Sequence, residues 1–571
     1  MKQRYGEGLV FAAVLLVGLA IAGFGTGYQA QTLFQMVMMV LLAVGWNVIS
    51  GFTGYVSFGQ VAFFGFGAFA AAVAILNLDV PWYVAMGIAG AAAALVALPL
   101  GLIMLRLSGI FFALGMFGLA RIFQLTASSI DITGGPMGTT VPGAESPNLT
   151  AIVAIGITAV AVAITYAVSR SRLGLTLMAT RDDPVAAQAA GVDIWKAKVI
   201  AFCISAAFAA VAGALYVWNV GYLDPSSAFA GTIELQSVLM VLAGGIGTVW
   251  GPVIGGVLVS LLSTFLWASF PMEQQIVLGV LTMAIAVFAP TGLMGALRQR
   301  GWIRRAPIWG PPLAASASPV TTTAVPRDAG GAPVLTCRKL SVRFGGVKAV
   351  TEVDLDVRAG EMLAIIGPNG AGKSSLFNLM SNFHRPTGGQ VLLDGQPILG
   401  IAPFRLARCG IARTFQTSRL FRSMSVWETV LVAAASVAPD RHEAVRATTE
   451  ILDRIGLLDR WDDPPDLLPP GRQRLLEIGR ALALKPRVLL LDEAMAGMTL
   501  QEIERVHDAL RAAIARGTAV VAIEHVLPAI APLAARVQVL DFGRTIAEGI
   551  PREVLRDPIV VEAYMGAEYD A

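Results

Sequence analysis

The chain has 571 residues, 55% of them hydrophobic and 14% charged, with a mean hydropathy of +0.67. Soluble proteins carry about a quarter charged residues, so a wholly soluble protein is excluded. The formal net charge of +3 gives no footing for nucleic acid. Cys203, Cys337 and Cys409 are too dispersed for a metal site or a disulfide framework, as on a reduced cytosolic face.

Up to about residue 297 charges are sparse, and apolar runs of bilayer-spanning length recur. Lys2 and Arg4 precede the run 9–24, which reads as an anchor because it is long and no small-x-small cleavage site follows. Further spans are expected at 32–49, 56–75, 82–105, 110–125, 151–168 and 199–218. Three more fall at 236–248, 252–267 and 275–297, the first short enough to be broken or re-entrant. The fold class is therefore a polytopic α-helical membrane domain of eight to ten spans, in contact with lipid, joined to a soluble domain.

Basic residues fix the orientation. Arg106, Arg170, Arg172, Arg181, Lys196, Lys198, Arg298 and Arg300 mark the cytoplasmic side. The loops 127–150 and 221–234 hold Asp131, Glu145, Asp224 and Glu234 without a Lys or Arg, and are expected outside. Glycines at 51, 54, 59, 65 and 67, and at 244, 245 and 247, allow two readings: broken helices along a solute path, or close packing through small residues. Arg121, inside a span, is read as structurally paired, with Asp131 the candidate partner.

The cytoplasmic loop 169–198 contains Arg181-Asp182-Asp183-Pro184 and ends a short helical stretch at Gly191. Asp182 or Asp183 can cap that helix, Pro184 suits its first turn and Gly191 its end. A capped helix on the cytoplasmic surface suits mechanical coupling to a soluble domain. Residues 1–300 thus form a membrane domain. Residues 301–332, rich in Pro, Ala, Ser and Thr, read as a flexible linker, and 333–571 as an α/β domain.

In that last domain, Val342-Arg343-Phe344-Gly345-Gly346 reads as a strand and turn whose Phe344 can stack on a nucleobase. Gly367-Pro368-Asn369-Gly370-Ala371-Gly372-Lys373-Ser374-Ser375 follows a buried strand and opens a helix. Glycines let backbone N–H groups turn onto phosphates; Lys373 can reach the β/γ-phosphates and Ser374 can ligate Mg²⁺. Gln416 offers an amide to Mg²⁺ and the attacking water. The apolar run 488–491 ends in Asp492 and Glu493, placed to hold the metal and to polarise water. His525, at another strand end, can contact the γ-phosphate.

In this order the residues resemble the ATP-binding-cassette (ABC) ATPases, and more closely the ATPase subunits of branched-chain amino-acid importers. Phe344–Gly346, 367–375, 411–416 with 419–422, 476–480 and 523–525 carry that likeness. The membrane half is similar to a permease subunit of the same importers through 46–54, 132–138, 181–191 and 204–213. The resemblance implies a fused permease and ATPase of the bacterial inner membrane, with ATP and Mg²⁺ as cofactors. It also implies a second permease, a second ATPase and a periplasmic binding protein delivering a small solute. Branched-chain amino acids are the first expectation; urea, short amides and aromatic acids remain open.

The chain departs from the family in its signature segment, expected as L-S-[GY]-G-Q. Here it reads Leu468-Pro469-Pro470-Gly471-Arg472. Pro469 has neither a hydroxyl nor an N–H for the opposite ATPase's γ-phosphate. Ala494 replaces a usual proline, and Thr499 stands where Asp or Asn is usual. An asymmetric ATPase pair is expected, with a second ATPase supplying an intact signature. A regulatory ATP-binding subunit is the alternative.

Overall fold

The computed structural model describes residues 14–269, 274–289, 291–300, 307–313, 332–524 and 530–565. They form two compact units. One comprises Met1–Leu177 and Trp195–Ala306, the other Met178–Ile194 and Pro307–Ala571. The loop segment 178–194 packs with the unit that holds the nucleotide motifs.

The first unit is helical. After α1 (Val14–Phe24) come α2 (Gly27–Trp46), α3 (Gln60–Leu78), α4 (Trp82–Met104), α5 (Ile110–Ser129) and α6 (Pro147–Ser169). Beyond α7 (Arg172–Asp182) and α8 (Pro184–Ala189) come α9 (Ile194–Val220), α10 (Pro225–Ala228), α11 (Gly231–Gly244), α12 (Gly251–Ser269), α13 (Gln274–Phe288) and α14 (Gly292–Gln299). Among the described residues seven stretches are long and apolar enough to cross a membrane. Three expected spans, α1, α12 and α13, are not among them, and α13 is separated from α14 inside the run read as one span.

Small residues replace large ones where these helices touch. A Cβ on Gly67 would lie 2.2 Å from the Ala210 carbonyl oxygen, so α3 and α9 meet backbone to backbone. Elsewhere the helices break. Below α2 the chain loosens into one π-helical turn, Asn47–Gly51, and residues 54–59 have no helix. A second break, with positive φ at Gly245 (127°) and Gly247 (72°), separates α11 from α12. Close packing and helix breaks thus both occur, at different positions.

Two expectations are corrected here. Arg121 is exposed; it hydrogen-bonds Gln124 and lies 5.6 Å from the Phe117 ring centroid, partners on its own helix rather than Asp131. Glu234 is not in an external loop: it lies in the first turn of α11, 4% exposed.

The second unit is α/β. A six-stranded sheet runs in the order β12-β11-β5-β10-β9-β8, and only β12 is antiparallel to its neighbour. Its strands are β5 (Met362–Ile366), β8 (Ile411–Arg413), β9 (Val488–Asp492), β10 (Ala519–Ile523), β11 (Arg536–Asp541) and β12 (Arg544–Gly549). β5, β9 and β10 are buried throughout, as the continuous apolar runs of a covered parallel sheet require. An antiparallel sheet, β4-β3-β6-β7, adds β3 (Pro333–Phe344) and β4 (Val347–Arg358), with β6 (Gly388–Leu393) and β7 (Gln396–Pro397).

The stretch expected as a linker is partly bound. Ile308 is buried, its carbonyl accepting from Trp427 Nε1 (3.2 Å), and Leu313 N donates to Thr449 Oγ1 (3.2 Å). Residues 307–313 thus belong to the packed ATP-binding unit.

Candidate functional site

The parallel sheet brings the nucleotide motifs together at the carboxyl ends of its strands. β5 leads into Gly367–Ser375, and the loop opens α15 (Lys373–Met380). Gly367 (φ 151°) has no room for a side chain: a Cβ there would lie 2.0 Å from the Leu540 carbonyl oxygen. The register of β10 on β9 sets Ile523 beside Asp492, and Glu493 N donates to Ile523 O (2.9 Å).

Asn369, Gly370, Gly372, Lys373, Ser374, Ser375, Gln416 and Glu493 line one cleft of about 350 Å³. Lys373 Nζ donates to the carbonyls of Gly367 (2.6 Å) and Pro368 (2.8 Å) across the loop. Burial pulls its pKa down, while the Glu493 and Asp492 carboxylates pull it up. Gln416 Nε2 donates to Glu493 Oε1 (3.1 Å), so the expected metal-sensing amide and the expected base already touch. Glu493 sits at φ 48°, a left-handed conformation an ordinary side chain adopts at a cost.

Asp492 is buried at the end of β9, 3.9 Å from the Arg413 guanidinium. Burial raises its carboxyl's pKa, and Arg413 offsets that rise only in part. Arg413 is fixed by Asn378 (2.9 Å) and Ser381 (2.8 Å); burial lowers it to about 10. Asp492 Oδ1 is buried without a hydrogen-bond partner, an oxygen that a hard cation or its water shell would satisfy. With the Ser374 hydroxyl and the Gln416 amide, that donor set suits Mg²⁺, which takes few protein ligands where phosphates supply the rest. His525 lies outside the described residues.

Phe344 does not line this cleft. It is half-exposed, and its ring meets His384 edge-on at 5.4 Å. A different aromatic, Phe542, does line it, on the β11–β12 hairpin beside Val347, Lys348 and Ala349. Asp541 pairs with Arg544, and Phe542 (φ 40°) and Gly543 (φ 77°) form the two-residue turn. Such a turn favours Asn, Asp or Gly at both positions. A phenylalanine there, 85% exposed, brings the fold strain and no burial. The sequence carried that clue in Asp541-Phe542-Gly543, a hairpin turn with the wrong residue at its tip.

Glu524 was also missed. Its Oε1 accepts from Met495 N (2.8 Å), and burial, with Glu493 adding to it, pushes its carboxyl up to about 7.

The signature region forms the start of α19 (Pro470–Leu482). Pro469 occupies the N-cap and gives no side-chain cap, while Leu468 is buried. A Cβ on Gly471 would lie 2.2 Å from Glu502. Thr499 caps the next helix, α20 (Leu500–Ala515), in a reciprocal capping box with Glu502. Arg472 is half-exposed.

Helix α19 also grips the loop after β8. Arg474 donates to the carbonyls of Phe415 (2.8 Å) and Gln416, Phe415 N donates to Glu477 Oε1 (3.2 Å), and Arg480 donates to Arg419 O. The same loop, together with Arg408 ahead of β8, holds the 181–191 segment. Asp183 caps α8 by accepting from Val185 N and Ala186 N (2.9 Å each), and its other oxygen takes Arg419 NH1 (2.9 Å). Asp182 accepts from Ser423 N (2.7 Å), and Arg408 Nε donates to Gly191 O (2.7 Å). Pro184 stands in the first turn and Gly191 (φ 79°) follows the last. Arg181 adjoins this contact at the end of α7.

Three family models match the chain. A model of the branched-chain amino-acid transport system permease component covers residues 28–286, one of the ABC transporter covers 350–496, and one of the branched-chain amino-acid ATP-binding cassette transporter covers 544–570. The high-affinity branched-chain amino-acid transport ATP-binding protein LivG of Escherichia coli K12 is 36% identical over 251 residues, 41% of this chain and 98% of that protein. BraF of Pseudomonas aeruginosa, of the same description, is 34% identical over 254 residues, 41% of this chain and 98% of that protein. A nucleotide-free ATP-binding cassette from an ABC transporter superposes with a TM-score of 0.38 at 30% identity, over 41% of this chain and all of that one.

Proposed function

This chain belongs to the branched-chain amino-acid ABC transporters, with permease and ATPase in one polypeptide, and from that premise we propose that it is a subunit of an importer for branched-chain amino acids with an asymmetric ATPase pair. Its ATPase domain binds ATP and couples hydrolysis to transport.

One observation carries the reading: the loop whose Gln416 touches Glu493 also holds Asp183 through Arg419 and Asp182 through Ser423 N. In the proposed cycle the 367–375 loop wraps the phosphates, Lys373 neutralises them, and Glu493 takes a proton from the attacking water. Ser374, Gln416 and the idle oxygen of Asp492 would hold Mg²⁺, which would supply charge neutralisation at the phosphates. His525 would contact the γ-phosphate. Movement of Gln416 on closure is passed along its loop to the 181–191 segment and so to the membrane helices. The partners are a second permease, a second ATPase and a periplasmic binding protein, and the site of action is the bacterial inner membrane.

Asymmetry rests on Pro469. The start of α19 offers the opposite nucleotide no hydroxyl, so the site completed by 468–472 mainly binds while the site of Lys373 and Glu493 turns over. Pro469 alone favours the alternative, a regulatory subunit without productive hydrolysis. Reconstitution in proteoliposomes with the partner subunits separates the two. A loaded binding protein should stimulate ATP hydrolysis and drive uptake, and Glu493→Gln should abolish both. Unstimulated hydrolysis, or a Glu493→Gln importer working near wild type, would leave the regulatory reading standing. Uptake of urea, an amide or an aromatic acid in place of leucine would reassign the solute.

A further inference from the structure

Among the described residues of the membrane unit, two ionisable side chains are buried, Lys198 and Glu234, each 4% exposed. Ionisable groups within a span are costly, and they persist where they pair or act. Lys198 is taken: its Nζ donates to Tyr55 OH (2.7 Å) and lies 4.1 Å from that ring's centroid. Glu234 is half taken. Oε2 accepts from Val61 N (2.7 Å) at the start of α3, where Gly59 at the N-cap has no side chain to offer, and Oε1 is buried without a hydrogen-bond partner.

The surroundings satisfy their own polar groups closely. Gln60 exchanges hydrogen bonds with Ser205 (2.9 Å to its carbonyl, 3.1 Å from its hydroxyl). Trp46 Nε1 donates to Ser57 O (2.8 Å) and Ser57 N to Ser50 Oγ (3.0 Å). Asn47 joins the two helix breaks, donating to Thr248 O and accepting from Gly247 N (2.9 Å each). Glu234 Oε1 is the one buried side-chain atom left over among the described residues of this unit.

Its depth matters. Ser205 lies eleven residues into the 27-residue α9, about 16 Å along a helix of about 40 Å. Gln60 is beside it, so α3 begins near the middle of the span. Non-helical backbone at that depth, as at 54–59, is tolerated where protein buries it or where it lines a polar path, and discontinuous helices at mid-depth are how transporters build solute sites.

A bare helix N-terminus would draw an anion. Here Glu234 Oε2 already occupies the exposed N–H, so a solute carboxylate finds no open donor, and what the remaining oxygen can take is an N–H donor such as an ammonium group. We infer that Glu234 Oε1 is a mid-membrane contact for the ammonium group of the transported solute, offered when the breaks at 47–59 and 245–250 open. This rests on the importer reading above and narrows it to solutes that carry a protonated amine.

The experiment uses the complete importer with its binding protein in proteoliposomes and compares wild type, Glu234→Gln and Glu234→Asp. A glutamine oxygen can keep the Val61 N–H, while its amide NH₂ turns the free position from acceptor to donor. Leucine uptake by Glu234→Gln should fall at least tenfold, with thermal stability and binding-protein-stimulated ATP hydrolysis retained, and Glu234→Asp should recover part of the uptake. Glu234→Gln uptake within twofold of wild type would overturn the inference and leave Glu234 as a helix cap. Joint loss of stability, hydrolysis and uptake without rescue by aspartate would overturn it too. The wild-type arm tests the importer reading separately: a wild type that takes up urea or a carboxylic acid but not leucine refutes both, whereas a leucine-competent wild type with an indifferent variant refutes the Glu234 assignment alone.

Discussion

The two units solve opposite problems with polar groups. In the ATP-binding unit, polar side chains crowd an open cleft, and some in and beside it are strained or half-satisfied: Glu493 in a left-handed conformation and the buried Asp492 with one idle oxygen. In the membrane unit, polar groups are few and almost all are tied off, by long-range bonds such as Asn47 to Thr248 and Gln60 to Ser205. Water can complete the first kind of site, and lipid cannot complete the second. An idle polar atom is therefore ordinary near the nucleotide and exceptional beside α3.

The largest test of this contrast is Glu493→Gln, which should lower steady-state ATP hydrolysis by about 10²–10⁴-fold while ATP binding persists. Measuring both on the same preparation checks that the strain at Glu493 serves chemistry rather than nucleotide capture. Nearly as severe, and in the other unit, is Gly67→Val. With the Ala210 carbonyl 2.2 Å from any Cβ, the α3–α9 contact cannot close, and detergent-solubilised protein should lose its thermal transition.

Asp183→Ala removes the cap of α8 and the ion pair to Arg419 together. The cap is worth about 1 kcal/mol, and the half-exposed pair less. Uptake per ATP hydrolysed should fall several-fold with basal hydrolysis unchanged; unchanged coupling would show that the 181–191 contact is passive.

Phe542→Asn puts a residue the turn prefers where a strained one stands, so stability should hold or rise. If the ring contributes to nucleotide binding, ATP affinity should weaken about five- to tenfold, on the scale of base–aromatic stacking. Unaltered affinity in a titration with a fluorescent ATP analogue would leave the phenylalanine without a ligand.

The smallest effect concerns Glu524, whose folded pKa of about 7 exceeds the unfolded value of 4.5. The folded state then holds a proton that the unfolded state releases, so stability is fullest below about pH 4.5 and falls until pH passes about 7. Glu524→Gln should raise the melting temperature of the ATPase unit by a few degrees at pH 8 and leave it nearly unchanged at pH 4.5. Equal shifts at both values would contradict the buried proton.

The legibility of the sequence follows the same divide. The phosphate loop, Asp492 with Glu493, and Gln416 were readable because glycine spacing and buried apolar runs dictate local backbone, and the parallel sheet then gathers strand ends. Phe344 was read as a cleft aromatic from its strand position, yet its ring meets His384 while Phe542 lines the cleft. Residues 307–313 were read as linker because they lack periodicity, yet Ile308 is buried beside Trp427. Propensity is silent about which surface a short segment finds.

By itself the sequence determined that the chain is a membrane domain followed by a P-loop ATPase. It also determined that the 181–191 segment is a capped helix and that the signature lacks its serine. Those are consequences of hydropathy, backbone geometry and side-chain chemistry, all local. Tertiary structure alone decided that Asp183 both caps α8 and binds Arg419, 236 residues away, and that Glu234 sits buried against Val61, 173 residues away. Charge counting put Glu234 outside because it weighs a residue by its neighbours in sequence. The cost of a buried charge is set by its neighbours in space.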